Sequence, residues 1–265
     1  MPKITVEGVY DLHIHSGPDL FERVGDDVQI ATMCRDAGMA GVLFKCHHEC
    51  TASRAYYASQ IVPDIKIYSG VVLNRFVGGI HPQSVEAALR TGARMVWMPT
   101  VDGAYHALKY GSTGSYGSYQ DSALSERTEG ISILDESGRL IPQIYAILEL
   151  VARHGAALGT AHLSPEEMDL FVPAAVEAGC KKICLTHVNF EKHRLPIEKV
   201  RQYVRMGAIA EFCTPSPLGG YFSVEESREW MEALGPENCY ISSDAGTPRK
   251  PIPPEASCTA GPAWG

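Results

Sequence analysis

Six times along this 265-residue chain a helical stretch ends at a glycine and a short apolar run follows, with the glycines at 38, 92, 155, 179, 207 and 235. Glycine closes a helix at little cost because it accepts the left-handed backbone conformation. The runs that follow, such as Gly41–Phe44 and Lys182–Leu185, are mostly apolar and do not alternate. That is how a strand buried on both faces reads. With a first strand at 8–14 and a third at 66–73, eight strands are expected: 8–14, 41–46, 66–73, 94–99, 156–161, 182–186, 208–213 and 239–243. Helix starts agree. Ser164 with Glu167 and Ser223 with Glu226 have capping-box spacing, and Pro82 and Pro165 suit first helical positions. Alternating strands and helices in this number predict an α/β chain folded as a (β/α)8 TIM barrel. A doubly wound sheet is the alternative. Four prolines and a stretch without helical period follow Asp244, so the eighth helix is expected to be irregular or missing. The barrel is assigned to 1–248 and an irregular tail to 249–265, poorly ordered past about 248.

Composition excludes several function classes. The formal charge of −8 disfavours nucleic acid, which requires clustered Lys and Arg. No stretch is long and apolar enough to span a membrane, and the start lacks an apolar leader. The eight cysteines are scattered with no CxxC pair, which fits a reducing, cytoplasmic setting and inert thiols. The oligomeric state stays open, a homo-oligomer being compatible with such a barrel. The segment 102–138, rich in Gly, Ser and Tyr, is long enough for a lid or binding loop, with a small hairpin at its end turning at Glu136–Gly138.

The chemistry collects where these strands end. His13 and His15 close the first strand, Lys45 and His47 the second, His162 the fifth, His187 the sixth and Asp244 the eighth. Residues i and i+2 of a strand share a face, so His13 and His15 can chelate one ion, and Asp11 shares that face as a candidate orienting group. Any one such histidine alone reads as packing; five strand ends with the same chemistry point to a divalent metal. Imidazoles and a carboxylate suit Zn, with Mn, Fe, Co and Ni compatible. Asn74 and Arg75 end the third strand; Arg75 is a candidate clamp for a carboxylate or phosphate. His47 and His106 are further candidates for contact with a small-molecule substrate. His48 reads as a loop or packing residue, and His193, in a charged context, as solvated. Met95, Trp97 and Met98 read as core.

This pattern resembles the amidohydrolase superfamily of metal-dependent hydrolases over roughly residues 9–247. The likeness rests on His13-X-His15, on His162 and His187, and on Asp244. More narrowly it looks like a small uncharacterised branch with Lys-X-His on strand two (Lys45, His47) and Trp-Met-Pro-Thr on strand four (Trp97–Thr100). The resemblance implies that His13 and His15 hold one metal with Asp244, that His162 and His187 hold a second, and that a metal-activated hydroxide lies between them. Asp244 would then shuttle the proton as catalytic residue. Binuclear members commonly take a bridging carboxylated lysine or a glutamate from strand four, and none stands at Met98–Thr100 here. Lys45 is the candidate for that bridge from strand two. The other reading keeps Lys45 as an ammonium binding an anionic substrate beside one metal. The implied reaction is hydrolysis of an amide, cyclic amide or other C–N bond. Lactone or phosphoester hydrolysis, metal-dependent decarboxylation and a non-catalytic metal-binding barrel stay open.

Overall fold

A computed structural model describes residues 5–114, 129–190, 193–248, 251–252 and 254–255. Eight parallel strands lie in sequence order: β1 (Tyr10–His15), β2 (Gly41–Lys45), β3 (Lys66–Val72), β4 (Met95–Trp97), β5 (Ala157–Gly159), β6 (Ile183–Leu185), β7 (Ala208–Cys213) and β8 (Cys239–Ser242). Each falls within its expected segment or a residue of it, although β4, β5 and β6 are shorter than expected. Between them run α1 (Asp27–Asp36), α2 (Ala52–Ile61), α3 (Pro82–Arg90), α4 (Ala104–Tyr110), α5 (Pro142–His154), α6 (Pro165–Glu177), α7 (Ile197–Arg205), α8 (Pro215–Leu218) and α9 (Val224–Leu234). Both expected capping boxes form, on α6 and α9, and a third closes between Asp26 and Gln29 at the start of α1. The architecture is a (β/α)8 barrel with a seam. After β8 the described residues Pro254 and Glu255 are helical, and most of the tail past 248 lies outside the described residues.

The seam joins β8 to β1 by little regular pairing. The His15 amide donates to the Ala245 carbonyl at 2.8 Å. The Ser243 amide donates to both carboxylate oxygens of Asp11 at 3.2 Å, and the His13 amide to Asp11 at 3.1 Å. Asp11 is fully buried, and burial, opposed by these hydrogen bonds, moves its carboxyl up to about 6. These bonds let Asp11 tie β1 to the chain that follows β8.

Trp97 fills the barrel interior. Gly70 on β3 and Gly159 on β5 leave room for it: a Cβ on either would collide with the indole. The segment 102–138 is not one long loop. Its first part forms α4, the Gly103–Ile131 bridge ties its return to the start of that helix, and the expected hairpin pairs Leu134 with Leu140. Residues 115–128 of it lie outside the described residues. Among the described residues no helix is long and apolar enough to cross a membrane.

Candidate metal centre

The strand alternation of β1 brings His13 and His15 to the same place, at the carboxyl end of the barrel. Asp244, two residues beyond β8, meets both: its Oδ1 lies 3.1 Å from His13 Nε2 and 3.2 Å from His15 Nε2. The histidines are buried and the Asp244 side chain is 20% exposed. Burial opposes the charge on Asp244, but the two imidazoles outweigh it and hold its carboxyl well below the usual range.

Behind His13 stands Glu211 of β7. Its Oε1 is 3.0 Å from His13 Nδ1 and accepts from Ser242 Oγ at 2.7 Å, while Oε2 accepts from the His187 amide at 3.0 Å. Burial alone would raise Glu211; His13, His187 and Ser242 together bring it to about 2. For His13, burial and Lys45 disfavour the imidazolium, but Asp244 and Glu211 prevail and raise it to about 9. His15 behaves oppositely: burial and Arg23 drive it down to about 3.

Lys45 is buried, with Nζ 3.0 Å from His13 Nε2 and 5.2 Å from the centre of the Trp97 ring. An ammonium and an imidazolium have only donors and cannot share that hydrogen bond, so one of the pair is neutral. Burial lowers the Lys45 amine, with Asp244 and Glu211 acting against it. His47 stacks on His15 at 4.7 Å, and its Nδ1 is 2.8 Å from Thr100 Oγ1. Asn74 fixes this corner by donating to the His47 carbonyl and to Thr100.

A second group of imidazoles lies on the other side of His187. The rings of His162 and His187 are 5.1 Å apart. His162 also meets His106 of α4, Nδ1 to Nδ1 at 2.9 Å, and stacks on His193 at 4.2 Å. All four are buried. Burial, with the neighbouring His193, His106 and His187, holds His162 well below the ordinary imidazole range. Burial and Lys45 bring His187 down to about 4.

The predicted residues thus converge, with one exception. His13, His15, Lys45, His47 and Asp244 form one group, and His106, His162 and His187 adjoin it. Arg75 does not join them. The chain leaves β3 at Val72 and enters a 3-10 turn, Arg75–Val77, so the guanidinium is exposed and donates to the Glu129 carbonyl. His193 is corrected from solvated to buried. Sequence reading also missed Glu211. Its signal was a single carboxylate inside the apolar run Ala208–Cys213, where an unpaired charge would be prohibitive. Backbone strain was invisible beforehand. Ala161, His187 and Asp244, all at strand ends, hold left-handed φ values of 51°, 37° and 44°. Such conformations cost about 1–3 kcal/mol each and persist where packing enforces them.

These residues fit a divalent metal. Two ligands on one ion, with bonds near 2.0–2.2 Å, stand about 3–3.5 Å apart, which is how Asp244 Oδ1 stands to His13 and His15 Nε2. His13, His15 and Asp244 each offer a donor atom within one 4.8 Å group, and so do His106, His162 and His193. The Nδ1 of His187 is buried with no hydrogen-bond partner. Glu211 on the far nitrogen of His13 is the carboxylate–histidine arrangement that orients metal-binding imidazoles.

Residues 8–211 match the model of a protein family described as a family of unknown function, DUF6282. The chain belongs to that family. Comparison with curated proteins finds no match. Among solved structures this DUF6282 chain is similar to an amidohydrolase from Pseudomonas aeruginosa, at 12% identity and a TM-score of 0.58, over 91% of this chain and 75% of that one. It is similar to the probable dipeptidase PvdM from Pseudomonas aeruginosa, at 11% identity and a TM-score of 0.56, over 95% and 88% of the two chains. It is also similar to A. niger ochratoxinase, at 15% identity and a TM-score of 0.51, over 96% and 69%. At these identities the likeness is one of fold.

Proposed function

We propose that this chain is a metal-dependent hydrolase that cleaves an amide, cyclic amide or other C–N bond of a small molecule. The observation that carries the reading is the meeting of His13 Nε2, His15 Nε2 and Asp244 Oδ1 at the mouth of the barrel. The strand-end pattern that resembles amidohydrolases supports it, as does a fold shared with proteins titled amidohydrolase and probable dipeptidase. His13, His15 and Asp244 would hold a divalent metal, zinc being the ion this mixed imidazole and carboxylate set suits best. Such an ion, when bound, acidifies water and polarises an acyl oxygen.

The protein's own part follows from the contacts described. Glu211 fixes the tautomer of His13 by accepting from Nδ1, leaving Nε2 as the donor atom. Asp244 is ionised at neutral pH and sits beside the reacting position, so it takes a proton from water and returns it to the leaving nitrogen. Lys45 is the lysine among the donors, and its neutral amine can add to carbon dioxide. The N–C bond forms, one C=O opens to a carboxylate, and the nitrogen gives up a proton to solvent. The resulting carbamate would give the site the extra carboxylate that strand four does not supply. Protein equilibrated with 13C-bicarbonate should show a carbamate resonance that Lys45→Met lacks.

The deciding experiment measures metal content and turnover together. Zinc-loaded protein should hydrolyse members of a panel of amides and cyclic amides, and His13→Ala/His15→Ala should lose both metal and activity. Turnover confined to lactones or phosphoesters would reassign the substrate class. Tight metal binding without turnover on any of them would make the chain a metal-binding barrel.

A further inference from the structure

We propose that Arg23 makes the site selective for an amide that carries a carboxylate close to the scissile bond. The proposal deepens the hydrolase reading above and rests on it. Arg23 stands in the loop from β1 to α1, and its side chain is only 6% exposed. That loop is pinned beside the donors. The Val24 amide donates to the carbonyl of Gly246, two residues past Asp244, at 2.9 Å, and the Gly17 amide donates to the Gly25 carbonyl at 2.8 Å. Arg23 Nη2 lies 3.3 Å from His15 Nδ1. The guanidinium beside the donors is therefore that of Arg23 and not that of Arg75.

A guanidinium is a planar fork with five N–H groups on two edges, each edge able to meet a carboxylate. One edge, Nε and Nη2, is taken by Asp19 Oδ2 at 2.7 and 2.6 Å. Asp19 is itself held from behind: its side chain is fully buried, and Oδ1 lies 2.7 Å from His48 Nδ1. The other edge, Nη1 and Nη2, is engaged weakly. Nη1 reaches Thr247 Oγ1 at 3.5 Å, and Nη2 meets His15. Asp19 thus fixes the plane of the fork and leaves the outer edge for a ligand. The charge is felt across the mouth as well: after burial, Arg23 is among the groups that disfavour a proton on His15, His47 and Lys45.

The bond to His15 is one that a metal would release. Arg23 can only donate, so His15 Nδ1 accepts and the ring carries its hydrogen on Nε2, toward Asp244. An ion on Nε2 displaces that hydrogen. The neutral ring then carries its hydrogen on Nδ1, where it confronts the N–H of Arg23, and two donors cannot share a bond. A metal on His15 and Arg23 on His15 exclude each other, so loading the site frees the outer edge of the fork. A carboxylate offers that edge two oxygens in the parallel geometry a guanidinium favours. N-acyl amino acids and cyclic amides that bear a carboxylate hold the group a few bonds from the scissile carbonyl.

Succinate and acetate probe the zinc-loaded protein, because acetate can meet the ion alone and succinate has a second carboxylate for Arg23. In calorimetric titration Arg23→Met should weaken succinate about 10–100-fold, the worth of a hydrogen bond to a charged group, and leave acetate unchanged. Arg23→Lys keeps the charge without the fork and should fall between. On matched amides with and without a neighbouring carboxylate, Arg23→Met should raise KM for the charged one alone. It should also bind zinc at least as tightly as the wild type in chelator competition, since His15 has lost a competing donor. No loss on succinate, equal losses on both probes or both amides, or weaker zinc binding in a variant of intact circular dichroism would overturn the proposal. Carboxylate selectivity without turnover of any amide would keep the Arg23 site and remove the hydrolase reading; protein that takes up no zinc removes both. Arg23→Met leaves Asp19 without its cation and can misfold, so a crystal structure of unaltered protein with zinc and succinate gives an independent answer. A carboxylate on Nη1 and Nη2 with His15 released supports the assignment. Zinc on His15 Nε2 with Arg23 still on Nδ1 refutes it.

Discussion

At the scale of residues, the candidate site is a balance between burial, which drives charge out, and a few carboxylates, which keep it in. Asp244 is the residue on which the proposed metal binding and the proposed chemistry both converge. Asp244→Asn should keep the fold and lower kcat/KM on the best amide substrate by about 10²–10⁴; near-normal turnover would remove its acid–base role. Glu211→Gln should weaken zinc binding about 10–100-fold, measured by competition with a chromophoric chelator, because His13 loses its orienting partner. A third expectation concerns protons. His187 is kept neutral down to about 4, against an ordinary value of 6.5. Between those values the unfolded chain binds the proton and the folded chain does not, so stability falls as pH drops from about 6.5 to about 4. In metal-free protein the urea midpoint should fall across that window, and less steeply in His187→Gln. Several of these residues were legible because strand ends repeat one chemistry. Glu211 and His193 were not. A charge inside an apolar strand is paired by an element far along the chain, and a polar local sequence around His193 says nothing of a loop that folds inward.

At the scale of elements, helix-closing glycines and capping boxes marked the framework well, since both act over three or four residues. What they do not mark is where a strand stops. β3 ends at Val72, two residues before Asn74, and in the 3-10 turn that follows the Arg75 side chain is exposed and donates to the Glu129 carbonyl. The run after Asp102 likewise read as loop because Gly, Ser and Tyr dominate it, yet α4 packs His106 against His162 there. Two glycines within strands have a packing reason instead. Gly159→Ala would force its methyl into the Trp97 ring and should destabilise the barrel by about 1–3 kcal/mol in urea unfolding. Arg54, from α2, spans the loop after β1: it bonds Asp27, Ser16 and the carbonyls of Gly17 and Pro18. Arg54→Met would leave the Asp27 carboxylate buried without its cation and should cost about 3–5 kcal/mol.

At the scale of the whole molecule, eight strands in sequence order place every donor at one end of the barrel, and this much followed from periodicity alone. Stripping the metal should lower the melting temperature, and zinc at a hundredfold excess over its Kd should restore about 2.7 kcal/mol of stability. A melting temperature indifferent to zinc would argue against a bound ion in the native state. Asp11 gives the arrangement a further property. The first strand contributes His13 and His15, the segment just after the last strand contributes Asp244, and the carboxylate of Asp11 stitches one to the other. Nascent chain emerging from synthesis would carry its imidazoles long before their acidic counterpart exists. The proposed ion would therefore meet its full set of donors only in a completed ring, and a half-made copy would offer it the two imidazoles alone.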